Sequence, residues 1–267
     1  MKKNDSKTVV ITGGASGLGL ALASTYSKNG WSVVIADVDK DKGEKVTHDL
    51  SKKGRDILFL ECDVRNDNDV RSLHLACVNR WEKIDLLINN AGVISTLGAT
   101  DHSSIDEWQR VIDINLLGVV RGCKAFIPTF KAQESGHIVN IASIAGLNSL
   151  PGFANYNASK AAVISLSETL RLELKKRNIG VTVVCPSIFK TNLANSIKDP
   201  VDDHIEKINK IMERSSISAS DISDQIYKAV NKNKFFLLPH KHTWLIWWLK
   251  RFSLRLYELI LSKWPIS

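Results

Sequence analysis

Short runs of β-branched and apolar residues alternate with longer helical stretches through most of this 267-residue chain. That rhythm narrows the architecture more than any other feature. The runs are Val9–Thr12, Ser32–Asp37, Ile57–Cys62, Ile84–Asn89, His137–Ala142, Val181–Cys185 and Phe235–Leu238. Several lack a polar residue at every second position, as expected of strands covered on both faces. Strand, helix, strand in this order predicts an α/β fold: a Rossmann-type, doubly wound, mostly seven-stranded parallel sheet with helices on both faces. No internal repeat, low-complexity segment or Pro/Gly/Ser-rich linker interrupts the pattern.

Composition matters here for what it excludes. Hydrophobic residues at 44% and charged residues at 24% are ordinary globular values, which argues against disorder. Cys62, Cys77, Cys123 and Cys185 are far apart and form no C-x-x-C pair, so neither a metal site nor a disulfide framework is suggested, and a reducing, cytoplasmic setting is expected. The segment Met1–Lys7 is charged and runs into an apolar strand without the features of a secretory signal. The formal charge of +8 is unevenly spread: from His240 onward five cations face Glu258 alone, so half of the excess lies in the tail. No nucleic-acid motif accompanies it, and no nucleic-acid partner is expected.

The first strand ends in Thr12-Gly13-Gly14-Ala15-Ser16-Gly17-Leu18-Gly19, followed by the helix-like Leu20–Lys28. A glycine-rich turn in that place lets the backbone approach a pyrophosphate, while the helix N-terminus supplies N–H groups and a favourable dipole. Asp37, which ends the second strand eighteen residues after Gly19, can accept hydrogen bonds from ribose hydroxyls and would repel a 2′-phosphate. Ser16 and Val38 flank these positions and no Arg or Lys does, so NAD(H) is expected over NADP(H). Asp37 can also be read as a cap of the next helix, a task Asp39 can perform instead. Asp63, followed by Val64, can face the adenine amine or cap the helix predicted over Asn66–Arg80; the residues alone leave both open. Asn89-Asn90-Ala91-Gly92 then closes the fourth strand, with side chains able to bridge loop backbone groups and a glycine that permits close approach of a ligand.

Tyr156 and Lys160 stand four residues apart, hence on one face of a helix. An ammonium near a phenol favours the phenolate, so Lys160 is expected to lower the Tyr156 pKa from about 10 toward the working pH and make it a usable acid/base.

Four motifs now stand in order: the Thr12–Gly19 turn, Asn89-Asn90-Ala91-Gly92, Ser143 after the fifth strand, and Tyr156-x-Ala158-Ser159-Lys160. Together they resemble the short-chain dehydrogenase/reductase family from about Thr8 to Leu238. The resemblance implies that Tyr156 exchanges a proton with the substrate oxygen while hydride moves to or from a nicotinamide ring. It implies that Ser143 stabilises charge on that oxygen, that Lys160 holds the nicotinamide ribose, and that Asn115, in the Val111–Val120 helical segment, helps connect the lysine to solvent. Thr191 matches the residue that bonds the nicotinamide carboxamide, in a loop beginning at Pro186 where Ser187 replaces the usual glycine. The substrate lid falls at about 192–217, where Ile205, Ile208, Ile211 and Met212 recur at helical spacing. They either contact a hydrophobic substrate or pack the lid onto the body, and Leu147, Leu150, Pro151 and Phe153 share that ambiguity. A homodimer or homotetramer, paired through the helices carrying Asn115 and Tyr156, is implied by resemblance alone.

The chain therefore divides into a nucleotide-binding unit over 1–239 and an extension over 240–267. In the extension, Arg251, Arg255, Glu258 and Ser262 fall along one side of a single predicted helix; Leu245, Ile246, Leu249, Phe252, Leu256, Leu259 and Ile260 fall along the other. A basic, Trp-rich amphipathic helix suits a membrane interface, here through 243–264 at the inner face of a membrane, and resembles the tails of membrane-associated members of the family. The alternative is a helix sealing a subunit interface or lid. The functional expectation is an NAD(H)-dependent oxidoreductase interconverting a hydrophobic alcohol and its carbonyl, of lipid, steroid, retinoid or acyl type. The alternatives are a non-catalytic nucleotide-binding sensor or scaffold, and a reductase of small soluble carbonyls with the tail at an oligomer interface.

Overall fold

Val9, Val10 and Ile11 are stiff at χ1, favour extended backbone and are fully buried, and the same holds for Val33, Val34 and Ile35. In the computed structural model, which describes residues 6–52, 54–94, 98–189, 215 and 217–261, these runs are the two strands around which the sheet is laid. The chain proceeds through β1 (Thr8–Thr12), α1 (Gly17–Lys28), β2 (Ser32–Asp37), α2 (Lys40–Ser51), β3 (Ile57–Glu61), α3 (Asp67–Arg80) and β4 (Leu86–Asn89). It continues through α4 (Ile105–Ile112), α5 (Gly118–Gln133), β5 (Gly136–Ile141), α6 (Ala154–Leu174) and β6 (Ile179–Val184). The last elements are α7 (Ala219–Asn231), β7 (Phe236–Leu237), α8 (Lys241–Phe252) and α9 (Leu254–Leu261). All pairings are parallel, in the order β3-β2-β1-β4-β5-β6-β7. The predicted α/β class and seven strands are both observed. Two strands differ most at their starts: β6 begins two residues earlier than expected, at Ile179, and β4 two residues later, at Leu86, where the Ile84 N–H donates instead to Gln133 Oε1.

Successive strand residues point to opposite faces, so one sheet feeds two cores. Val10, Val34, Leu87 and Ile138 pack with Val70, Leu73, Phe126 and Val163 from α3, α5 and α6. Val9, Ile11, Ile35 and Ile88 pack with Leu22, Tyr26, Ile222 and Ile226 from α1 and α7. Each fully buried aliphatic side chain contributes on the order of 1.5–3 kcal/mol, so these two layers dominate the stability of the body. Strand order reverses between β1 and β4, and the crevice beyond their carboxyl ends is where such sheets bind ligands.

The tail departs from expectation. It is two helices, not one: Ser253 is extended (φ −152°), gives its N–H to the Leu249 carbonyl to end α8, and accepts from the Leu256 N–H to start α9. The break redistributes the faces. Thr243 and Tyr257 are buried and Trp244 packs on the α3/α5/α6 core, while Leu245, Trp248, Phe252, Leu254, Leu256 and Leu259 are exposed.

Candidate active site

The turn after β1 is held from β4. Thr12 Oγ1 accepts the N–H groups of Asn90 and Ala91 at 3.0 and 3.1 Å, and Asn90 Nδ2 donates to the carbonyls of Thr12 and Gly13, both at 2.9 Å. The expected bridging by asparagine is thus realised by Asn90. Asn89 turns into the core, where its Nδ2 donates to Asn140 Oδ1 at 2.9 Å. Glycine is required in this turn by contact as well as conformation. Gly13 has φ +62°, and a Cβ on Gly19 would lie 2.0 Å from the Gly13 carbonyl oxygen. Ser16 occupies the N-cap of α1 with its hydroxyl not used in capping, Gly17 opens the helix at φ +51°, and Leu18 is buried in the α1/α7 core. A bare backbone at a helix N-terminus is the cradle a pyrophosphate needs.

Asp37 is not a helix cap. Its Oδ2 accepts from the Ala15 N–H at 3.0 Å and its Oδ1 from the Asp39 N–H at 3.1 Å, which ties the glycine turn to the end of β2; Asp39 caps α2. The nearby Lys42 ammonium is paired with Asp39 at 2.5 Å. Asp63 does not cap α3 either, since Asn66 does. The Asp63 carboxylate is gripped by the Arg65 guanidinium, with contacts down to 2.6 Å, which holds it below the usual carboxylate range. Val64, expected near the adenine, is buried against Gly118 at the start of α5.

Four elements bring the reactive groups together. Ser143 caps a short 3₁₀ turn (Ile144–Gly146), its Oγ accepting from the Ala145 N–H at 3.1 Å. Tyr156 and Lys160 lie on the first turns of α6, and the Ser143 side chain stands beside the Tyr156 phenol, where it favours the charged form. Lys160 Nζ donates to the Ile141 carbonyl at 2.9 Å and faces Gly92, where a Cβ would come within 3.4 Å of it. An ammonium has three donors; those not used on Ile141 can serve ligand hydroxyls over Gly92. Asn115 sits in a π-helical turn (Asp113–Leu117) between α4 and α5, a distortion frequent at functional sites. Its amide exchanges hydrogen bonds with the Val93 backbone at 2.8 and 2.9 Å and donates to Ser159 Oγ at 3.2 Å, which in turn donates to the Tyr156 carbonyl. Asn115 therefore links the β4 loop to the helix carrying Tyr156.

One expectation is corrected here. Burial pushes the Tyr156 phenol up to about 12, opposed by the nearby Ser143 side chain, and burial pushes Lys160 down to about 8. The Lys160 ammonium lies 5.8 Å from the centre of the tyrosine ring and is directed at Ile141, so desolvation outweighs its pull on the phenol. The protein's own groups thus hold Tyr156 as the protonated phenol.

The loop after β6 begins at Pro186, whose carbonyl accepts from the Ile144 N–H at 2.9 Å. Ser187 is not among the described non-glycine residues with positive φ, which are Glu134, Asn178 and Asn233, so serine causes no strain there. Thr191 and the lid residues Ile205, Ile208, Ile211 and Met212 lie outside the described residues. Two groups escaped the sequence reading. Cys185, buried beneath the site, accepts from the Ser143 N–H, and burial pushes its thiol up. The Asn89–Asn140 pair continues to Ser167 Oγ at 2.9 Å, pinning β4 and β5 to α6. An asparagine late in each strand was the available signal, but pairing them required the strand order.

The family described as short chain dehydrogenase matches residues 7–202. A cyclopentanol dehydrogenase of Comamonas testosteroni is 33% identical over 199 residues, 74% of this chain and 79% of its own. A short-chain dehydrogenase/reductase of Burkholderia phymatum, solved in complex with NAD, is 31% identical and superposes with a TM-score of 0.89 over 96% of both chains. A short-chain dehydrogenase of Sphingobium yanoikuyae, solved in complex with NADPH, is 25% identical with a TM-score of 0.79, covering 96% of this chain and 95% of its own. With the glycine cradle, Ser143, Tyr156 and Lys160 in one crevice, this chain belongs to the short-chain dehydrogenase/reductase family and is an oxidoreductase acting on CH–OH groups with a nicotinamide cofactor.

Proposed function

We propose that the protein interconverts a hydrophobic primary or secondary alcohol and its carbonyl, of lipid, steroid, retinoid or acyl type, using NAD(H) in preference to NADP(H). The observation that carries the chemistry is a buried Tyr156 phenol, held protonated by that burial, with the Ser143 side chain beside it. A phenol in that state donates its proton to a carbonyl oxygen in the reductive direction, and Ser143 stabilises charge on the same oxygen. Lys160 would hold the cofactor ribose from beneath Gly92, and the turn over Gly13–Gly19 with Ser16 would hold the pyrophosphate. When bound, the nicotinamide supplies or accepts the hydride.

The cofactor preference rests on Asp37, whose carboxylate stands beside the turn and disfavours a 2′-phosphate. The substrate class rests on apolar surface near the site: Leu147 and Leu150 in the loop before α6, and the exposed leucines and rings of α8 and α9. A cavity of about 410 Å³ lies between the Ala145–Gly146 turn, the loop at Leu150 and Pro151, and the Asn157, Ala158 and Ala161 side of α6. Among the described residues no helix is long and apolar enough to cross a membrane. The exposed side of α8 and α9, with Arg251 and Arg255 beside it, suits peripheral contact with an anionic membrane face. Four buried free thiols are in keeping with a reducing, cytoplasmic compartment. Exposed Ile105 and Leu172, on α4 and α6, suit pairing of two or four copies through the helices around the site.

The test is turnover of a graded alcohol series, from cyclopentanol through long-chain and polycyclic alcohols, with NAD+ and NADP+ compared side by side. The expected result is kcat/KM rising with apolar size, and at least tenfold higher with NAD+, about 1.4 kcal/mol. Turnover confined to short polar polyols would sink the substrate class, and equal use of both cofactors would sink the preference.

A further inference from the structure

The C-terminal helices contact the two loops that flank Tyr156, and neither contact is used by the chemistry above. At the start of α8, His240 is buried, and its Nδ1 accepts from the Ser187 N–H at 3.2 Å, at the position where the family's usual glycine is absent. That acceptor role places the imidazole proton on Nε2. The His240 carbonyl is bonded in turn by the Thr243 N–H at 3.1 Å and the Thr243 hydroxyl at 2.6 Å, so the imidazole stands on a well-held helix start. Toward the end of α8, Lys250 Nζ donates to the Leu147 carbonyl at 2.7 Å and lies 3.4 Å from Ser149 Oγ. It sits over the buried Tyr257 ring of α9, 5.3 Å from its centre.

These contacts reach the reacting groups in one further step. Gly146 rests directly on α6, where a Cβ would come 2.6 Å from the Lys160 carbonyl carbon, and the Ile144–Gly146 turn is capped by Ser143. Ile144 donates to the Pro186 carbonyl, so the loops after β5 and β6 are already joined to each other. Trp244 connects the helix to the core by packing against Phe236, ring centres 6.4 Å apart.

We propose that His240 and Lys250 are positioning residues for the reaction: from one helix they set the spacing between the Ser143 loop and the Pro186–Ser187 loop, and so shape the mouth through which substrate reaches Tyr156. An ammonium on a carbonyl is a charge-assisted bond, stronger than the neutral bonds that otherwise hold this loop. The role does not depend on what covers the outer face of α8.

The experiment uses the full chain and hydrogen–deuterium exchange of peptides covering 143–152 and 185–189, whose amides at Ala145, Leu147 and Asn148 are hydrogen-bonded within the loop. Lys250→Met should speed exchange in 143–152 by about tenfold, the effect of losing roughly one charge-assisted bond. Lys250→Arg, which still donates to a carbonyl, should restore protection. His240→Leu should do the same to 185–189, with His240→Asn restoring it through its amide oxygen. In turnover of the best alcohol of the graded series, Lys250→Met should raise KM about tenfold with a smaller change in kcat and an unchanged NADH dissociation constant. Unchanged exchange in both loops for the Met and Leu variants would overturn the proposal, as would failure of the Arg and Asn variants to rescue. If Lys250→Met does not fold, Lys250→Gln supplies the same comparison with a weaker donor. Exchange is read without substrate, so a failure of the substrate class proposed above leaves this test intact.

Discussion

The glycine turn after β1 and the helix pair at the C-terminus shape their surfaces by opposite means. In the turn, function comes from side chains left out. Gly13 and Gly19 leave backbone bare, and Asn90 and Asp37 brace it from two strands. In the tail, the surface is made by side chains added. The rings of Trp244, Trp247, Trp248 and Phe252 form a ladder running outward from Phe236, ending in a stacked pair 5.3 Å apart, with Arg251 over Trp247 at 4.1 Å. A cofactor common to a whole family can be recognised by backbone, whose geometry does not vary with side-chain identity. The tail instead presents large side chains, and Trp248 and Phe252 remain exposed.

That contrast can be broken at three points. The largest effect belongs to Tyr156→Phe, which keeps the ring packing but removes the proton donor. A fall in kcat of about 10²–10⁴-fold with unchanged NADH affinity is expected, and steady-state kinetics with a fluorescence titration would measure both. Retention of turnover would remove Tyr156 from the role of proton donor.

The second point concerns where stability resides. His137 is buried at the base of β5, its Nε2 bonded to Thr182 Oγ1 at 2.8 Å; because that hydroxyl donates to the Lys234 carbonyl, the imidazole N–H must be the donor. Burial lowers its pKa from 6.5 to about 4. The unfolded chain therefore binds the extra proton first as pH falls, so the contribution is fully present above about 6.5 and is lost progressively toward 4. The limit of this loss is about 3 kcal/mol. Denaturant titrations between pH 4 and 7 would reveal it, and His137→Asn should flatten the slope.

The smallest effect is expected at the outer face of the tail. Phe252 and Leu245 are 79% and 75% exposed, so replacing both with serine should leave the melting temperature unchanged. Co-sedimentation with vesicles containing anionic lipid should fall about tenfold, since an exposed ring or leucine has its apolar area to contribute only on docking. Equal sedimentation would remove the membrane reading and favour a subunit interface.

Legibility followed the range of the forces involved. The strand runs were readable because a fully buried parallel strand is apolar along its length, as in Val33–Ala36. The crevice was readable because glycine spacing and Tyr156-x-x-x-Lys160 are local constraints on one turn and one helix face. Asn115 was found by its position, but not the π-helical turn that aims it, since a bulge depends on what the helix packs against. Spacing says how near an ammonium can come to Tyr156, whereas the phenol's proton state depends on burial and on where that ammonium points.

By itself, then, the sequence determined the layered α/β architecture, the bare cradle after β1 and the shared helix face of Tyr156 and Lys160. These depend on contacts within a turn or on periodicity along one element. The tertiary structure alone decided that Asp39 and not Asp37 caps α2, that the tail breaks at Ser253, and that His240 and Lys250 reach the loops on either side of Tyr156. Each joins residues that compete for partners or lie far apart in the chain, and only the packed fold settles which pairs meet.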